Sequence, residues 1–269
     1  MIEIIRPHPA THPRLAVFDF DGTLSLVRSG WQQVMSNLMV EALLQAPRHE
    51  TPLKLRRATN DYIARSTGQP TIEQMAWLAT AVERRGGAAD GPLEYKRRFE
   101  ARLRERIDRR LDELRRDEQL PDALLVPGAH ALLEALRLRE LPLALISGTD
   151  RDAVVHEAGA LRIADYFDDR IYGPGPHDPE FSKPTAIARL LSEHGLPGAA
   201  LVAFGDGPAE TAATRAVGGL AVGVALDETH GFRLDPQKRA ALIAVGADMI
   251  IRHFEEYERL VELIFDSET

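Results

Sequence analysis

The chain has 269 residues, 44% of them apolar and 28% charged, enough for one sizeable core with an inserted subdomain. A formal net charge of -8 and a pI near 5.6 argue against a surface that tracks nucleic-acid phosphates, because such binders gain affinity from Lys and Arg displacing counterions. The absence of cysteine excludes disulfides, thiolate nucleophiles and cysteine zinc sites and fits a cytoplasmic protein, and no run approaches the ~20 apolar residues of a membrane span. The expectation is a small-molecule partner, with neither nucleic acid nor membrane, and a monomer or homodimer.

In chain order, residues 1–13 read as a tail without the apolar core of a signal peptide. Leu15-Ala-Val-Phe-Asp-Phe20 then reads as a buried strand that delivers acids to a loop at Gly22. From Thr23 to about Leu125 the strand signal gives way to amphipathic helical patterns near 31–45, 53–65, 71–84 and 93–116. The last has an apolar stripe of Phe99, Leu103, Ile107, Leu111 and Leu114, and its charges suggest i,i+4 pairs such as Glu94 with Arg98 and Glu100 with Arg104.

Three more apolar runs follow. Leu143-Ala-Leu-Ile-Ser147 stops at Gly148-Thr149, Leu201-Val-Ala-Phe204 stops at Gly205-Asp206, and Leu220-Ala-Val-Gly-Val224 precedes an acidic loop. Helical patterns near 150–158, 183–194, 208–217 and 236–245 alternate with them, several opening on Pro or Asp as helix N-termini prefer. Strands alternating with helices imply an α/β fold, a Rossmann-like parallel sheet covered on both faces, with ligands beyond the strands' carboxyl ends. The expected domains are a catalytic core of 1–24 with 126–269 and an α-helical cap of 25–125.

Asp19 and Asp21 lie two apart at a strand end, and a turn at Gly22 allows both to enter one cleft. Two carboxylates that close resist joint ionisation, which divides a nucleophile from a general acid. Lys183 stands at a helix start, where a cation opposes the helix dipole and is a poor choice for stability. Thr149 and Asp150 are read as caps of the helix that follows, and Pro208 as scaffold of a first helical turn.

Asp19-Phe-Asp-Gly-Thr23, Ser147-Gly-Thr149, Lys183 and Gly205-Asp206-Gly-Pro-Ala-Glu210, in this order, resemble the four motifs of the haloacid dehalogenase superfamily. The resemblance covers residues 15–24 and about 126–265, and the helical insertion matches the C1-type cap of its β-phosphoglucomutase-like and phosphoglycolate phosphatase-like members in position. It implies a phosphohydrolase in which Asp19 forms an aspartyl phosphate and Asp21 is the acid and base. It implies Mg²⁺ held by Asp19, the Asp21 carbonyl and Asp206, with Glu210 acting through a coordinated water. Ser147 and backbone N–H groups near Gly148 would bind phosphate, and Lys183 would neutralise its developing charge. Glu210 stands where many relatives have Asp.

Arg28, Trp31 and Thr71 are the expected further substrate contacts, and the polar turn from Arg65 to Thr71 suits a sugar phosphate. A sugar phosphomutase shares the Asp pair but is expected to carry a cap cation where this chain has Thr71. A phospho-aspartyl switch or scaffold protein has no need of Asp21 or of a long cap.

Overall fold

The apolar runs become the strands of one sheet. The computed structural model describes residues 1–7, 12–66, 71–116, 120–175, 181–228 and 233–265. They fall into two compact units, Met1–Ser29 with Leu111–Thr269, and Gly30–Arg110.

The first unit holds a seven-stranded sheet of β1 (Ile2–Ile4), β2 (Leu15–Phe18), β3 (Leu143–Ile146), β4 (Ile171–Tyr172), β5 (Leu201–Gly205), β6 (Leu220–Val224) and β7 (Met249–Ile251). Its order is β1-β7-β6-β5-β2-β3-β4, parallel throughout except where β1 pairs antiparallel with β7. Strands β2, β3, β5, β6 and β7 are buried at every residue, as expected of a sheet covered on both faces. Val17 packs on one face with Ile146, Ile187 and Leu190, while Phe18 on the other stacks on Phe204 at 4.6 Å. The tail expected at the N-terminus is in part β1. Its Ile-Glu-Ile pattern is too short to announce a strand, and Glu3 is fixed by Arg239 at 2.7 and 2.9 Å.

The helices are α1 (Trp31–Leu44), α2 (Pro52–Ser66), α3 (Thr71–Glu83), α4 (Pro92–Arg116), α5 (Leu120–Ala123), α6 (Ala129–Leu138), α7 (Arg151–Ala160), α8 (Lys183–Glu193), α9 (Pro208–Ala216), α10 (Pro236–Ala244) and α11 (Tyr257–Phe265). Helices α5, α6 and α11 had no counterpart in the sequence reading. No described helix is long and apolar enough to cross a membrane.

The second unit takes α1 to α3 and most of α4 around a core that includes Met35, Leu38, Met39, Leu55, Met75 and Phe99. The units divide at Ser29 and within α4, inside the expected cap limits of 25 and 125. The reason is local: Leu26 N donates to Leu124 O at 2.8 Å and Val126 N to Leu24 O at 2.9 Å, which ties both segments into the first unit. The ion pairs of α4 also differ from the expected ones. Arg97 pairs with Glu94, Arg98 with Asp90, Arg102 with Glu41 and Arg115 with Asp112, because exposed side chains reach i,i+3 or neighbouring segments as readily as i,i+4.

Candidate active site

β2 leaves the sheet after Phe18, yet Asp19 N still donates to Phe204 O of β5 at 2.9 Å, so the Asp19 backbone stays fixed to the strand ends. The chain then folds back sharply, with the Thr23, Leu24 and Ser25 N–H groups all directed at Phe20 O. Gly22 makes this turn at a φ of 76°, and a Cβ there would lie 2.4 Å from Asp206 Oδ2. Both the backbone sign and the close approach require glycine.

Asp19 is buried at 6% exposure. Lys183, the first residue of α8, donates to Asp19 Oδ1 at 2.6 Å and to Glu210 Oε2 at 2.8 Å. Ser182 caps that helix by accepting from Thr185 N, which fixes the turn from which the lysine extends. Burial pushes the Asp19 carboxyl well up, opposed by Lys183 and reinforced by Glu210 and Asp206. Burial works against the Lys183 ammonium, but Asp19 and Glu210 outweigh it and raise its pKa.

Glu210 has two duties. It is the third residue of α9, and its Oε1 accepts the Gly207 N–H at 2.6 Å, closing the helix N-terminus as the glutamate half of a capping box. The Glu210 side chain, at the position where the resemblance leads one to expect Asp, is the group that reaches back to that N–H. Asp19, Asp206 and Glu210 each present an oxygen within 4.8 Å of the others. Carboxylate oxygens in that arrangement fit a hard divalent cation such as Mg²⁺. The Asp21 carboxylate is not part of this group.

Asp21 belongs to a separate network. Its Oδ2 accepts from Thr149 Oγ1 at 2.8 Å, and its buried Oδ1 lies 3.3 Å from Arg28 Nε without the alignment of a hydrogen bond. Arg28 in turn donates twice to Glu157 of α7, at 3.2 and 2.5 Å, and Glu157 is 2% exposed. Burial raises the Asp21 pKa to about 6, with Arg28 lowering it and Glu157 raising it. The expected cause, mutual repulsion of Asp19 and Asp21, is therefore corrected: each has its own cation, and burial dominates both. The cap reading from sequence also changes. Thr149 hydrogen-bonds Asp21, while Asp150 occupies the N-cap position of α7 without a side-chain cap. Arg28, expected on the substrate, is engaged by Glu157 and Asp21.

Asp206 follows β5, and its Oδ2 accepts from Lys238 Nζ at 2.7 Å. Lys238 also donates to Glu228 Oε1 at 2.9 Å. Sequence reasoning missed Lys238 and Glu228, although Lys238 offered the signal that marked Lys183, a cation in the first turn of a helix. Ser147 is buried at the end of β3, and its Oγ accepts from Thr149 N at 3.0 Å, which leaves its O–H free to donate elsewhere. Gly148 opens onto space. Trp31 packs against the core of the helical unit and Thr71 opens α3. Of the polar turn from Arg65 to Thr71, residues 67–70 lie outside the described residues.

A family model for haloacid dehalogenase-like hydrolases matches residues 13–218, well over half the chain. The chain belongs to that family. Among solved structures, this hydrolase is similar to a HAD family hydrolase from Deinococcus radiodurans with bound phosphate and sodium, at 19% identity and a TM-score of 0.64 over 95% of this chain and 97% of that one. It is similar to a predicted phosphoglycolate phosphatase from Haemophilus somnus at 17% identity and a TM-score of 0.61, over 94% and 100%. A haloacid dehalogenase-like family hydrolase from Streptococcus pneumoniae aligns at 21% identity and a TM-score of 0.57, over 93% and 97%. At these identities the likeness establishes the fold that the hydrolase shares with them. None of the curated proteins matches its sequence significantly.

Proposed function

We propose that this hydrolase is a Mg²⁺-dependent phosphomonoester hydrolase of the cytoplasm, acting on a small phosphorylated metabolite of the sugar phosphate class through an aspartyl phosphate on Asp19. The observation that carries the reading is the separation of the two aspartates. Asp19 has Lys183 at 2.6 Å, whereas Asp21 sits in the Thr149 and Arg28 network with a pKa of about 6. That division sets a nucleophile paired with an ammonium apart from a carboxyl able to hold a proton for the leaving group.

An Asp19 oxygen attacks phosphorus, the bond from phosphorus to the leaving oxygen breaks, and Asp21 gives its proton to the departing alkoxide. Water then attacks the phosphorus of the aspartyl phosphate while Asp21 takes one of its protons. The bond to Asp19 breaks, inorganic phosphate leaves, and Asp21 is again protonated. Lys183, the Ser147 hydroxyl and backbone N–H groups near Gly148 hold the phosphoryl oxygens. Asp19, the Asp21 carbonyl and Asp206 would hold Mg²⁺, Glu210 would act on it through water, and the ion would supply positive charge to the phosphoryl group. The need is electrostatic. Lys238 with Glu228 and Arg28 with Glu157 are neutral pairs, so they leave the excess of carboxylate and phosphate charge over Lys183 uncorrected.

An alkoxide is a poor leaving group, which is why Asp21 favours phosphate esters of hydroxylated metabolites over carbon–halogen substrates. The test is a phosphomonoester panel with Mg²⁺, with EDTA, and with Asp19→Asn, reading released phosphate and any isomerised sugar phosphate. Multiple turnover that EDTA and Asp19→Asn abolish is expected. Turnover retained by Asp19→Asn overturns the covalent route, an isomerised product identifies a mutase, and a lasting acyl phosphate without turnover identifies a switch.

A further inference from the structure

The second lysine of the site has no role in the chemistry just described, yet its placement is as constrained as that of Lys183. It is the third residue of α10, and its backbone N–H is taken by the Asp235 cap at 3.1 Å, which also accepts from Gln237 N at 2.8 Å. The segment from β6 to that cap is pinned at both ends, with Asp235 N donating to Ala225 O and Asp227 N to Arg233 O, each at 2.8 Å. From this anchor Lys238 reaches Asp206 and Glu228 with its side chain 19% exposed, and Glu228 is 10% exposed. A cation in the first turn opposes the helix dipole, so the location does not serve α10.

Resting on the proposed function, we propose that Lys238, held by Glu228, is a positioning residue that fixes Asp206 as a one-oxygen metal ligand. Lys238 occupies Oδ2, in space that the missing Cβ of Gly22 leaves open for that oxygen, so Oδ1 is the oxygen left for the cation. Glu228 balances the added positive charge, so the lysine orients Asp206 without repelling a divalent ion. Partners behind metal ligands act in this way, and their loss costs about 10- to 100-fold in metal affinity.

The experiment titrates Mn²⁺ into the metal-free full chain, followed by electron paramagnetic resonance, for wild type, Lys238→Met, Lys238→Arg and Glu228→Gln. Lys238→Met is expected to bind Mn²⁺ about 10- to 100-fold more weakly, with Lys238→Arg recovering most of the loss and Glu228→Gln weakening binding in the same direction. In turnover, the KM for Mg²⁺ rises while the KM for the phosphomonoester holds, a split that a general loss of structure would not give. Unchanged or tighter Mn²⁺ binding by Lys238→Met overturns the proposal. Should that variant fail to fold, Glu228→Gln decides, and unchanged binding there overturns it. Failure of wild type to hydrolyse any phosphomonoester counts against the proposed function alone, because Mn²⁺ binding is read without turnover.

Discussion

Lys183 Nζ and Asp19 Oδ1 lie 2.6 Å apart although 164 residues separate them in the chain. The pair joins the first turn of α8 to the end of β2, and the same ammonium holds Glu210 at 2.8 Å. Removal of Lys183 leaves two buried carboxylates without their cation and the phosphoryl group without a donor. Lys183→Met should lower kcat by about 10²- to 10³-fold in steady-state assays at saturating Mg²⁺. A loss below tenfold would remove Lys183 from the role given to it.

The pH dependence follows from Asp21. With its pKa at about 6, the protonated form needed to release the leaving group is depleted as pH rises above that value, so kcat/KM should fall on the alkaline side. Arg28 lowers this pKa and Glu157 raises it. Arg28→Met removes the lowering charge and leaves Glu157 unpaired, and both changes act upward. The alkaline limb should therefore move to higher pH, and a limb that stays or moves down would show that Arg28 does not govern Asp21.

Gly22 links the nucleophile loop to the metal ligands. An alanine there adopts a φ of 76°, at a cost of about 1–2 kcal/mol, and drives its Cβ against Asp206 Oδ2 and Glu228 Oε1. Gly22→Ala should lower the unfolding midpoint and also weaken Mn²⁺ binding, since Asp206 has to shift. Native metal affinity in this variant would mean that the loop yields and Asp206 does not.

His253 provides a stability test away from the site. Burial lowers its pKa, helped by Arg252, and its Nδ1 accepts from Glu255 N at 3.3 Å, an acceptor lost on protonation. The unfolded chain binds the proton more readily, so this contribution is full above the ordinary pKa of about 6.5 and is lost as pH falls through the lower folded value. His253→Gln should flatten the fall in Tm between about pH 7 and pH 5. An unchanged slope would assign the acid sensitivity elsewhere.

The sequence alone carried the strand ends. Continuous apolar runs closing on Asp19, Ser147 and Asp206 read as buried strands, and those ends converge because β2, β3 and β5 run parallel to one another. Lys183 was legible from its place among the ordered motifs that resemble the superfamily, to which its awkward position at a helix start adds.

Tertiary structure decided which partner each charged group takes. Thr149 reaches Asp21 across 128 residues, Arg28 reaches Glu157 across 129, and Lys238 reaches Asp206 across 32. Local patterns could not choose among these, since Thr149 beside a helix start reads equally as a cap and Arg28 as a substrate contact. Sheet order settles the choice by setting β2 between β3 and β5, which puts the Asp19 to Asp21 segment between the loop that carries Thr149 and the loop that carries Asp206. A side chain's hydrogen-bonding capacity is written in its chemistry. The group that meets it is fixed only when strands far apart in the chain become neighbours.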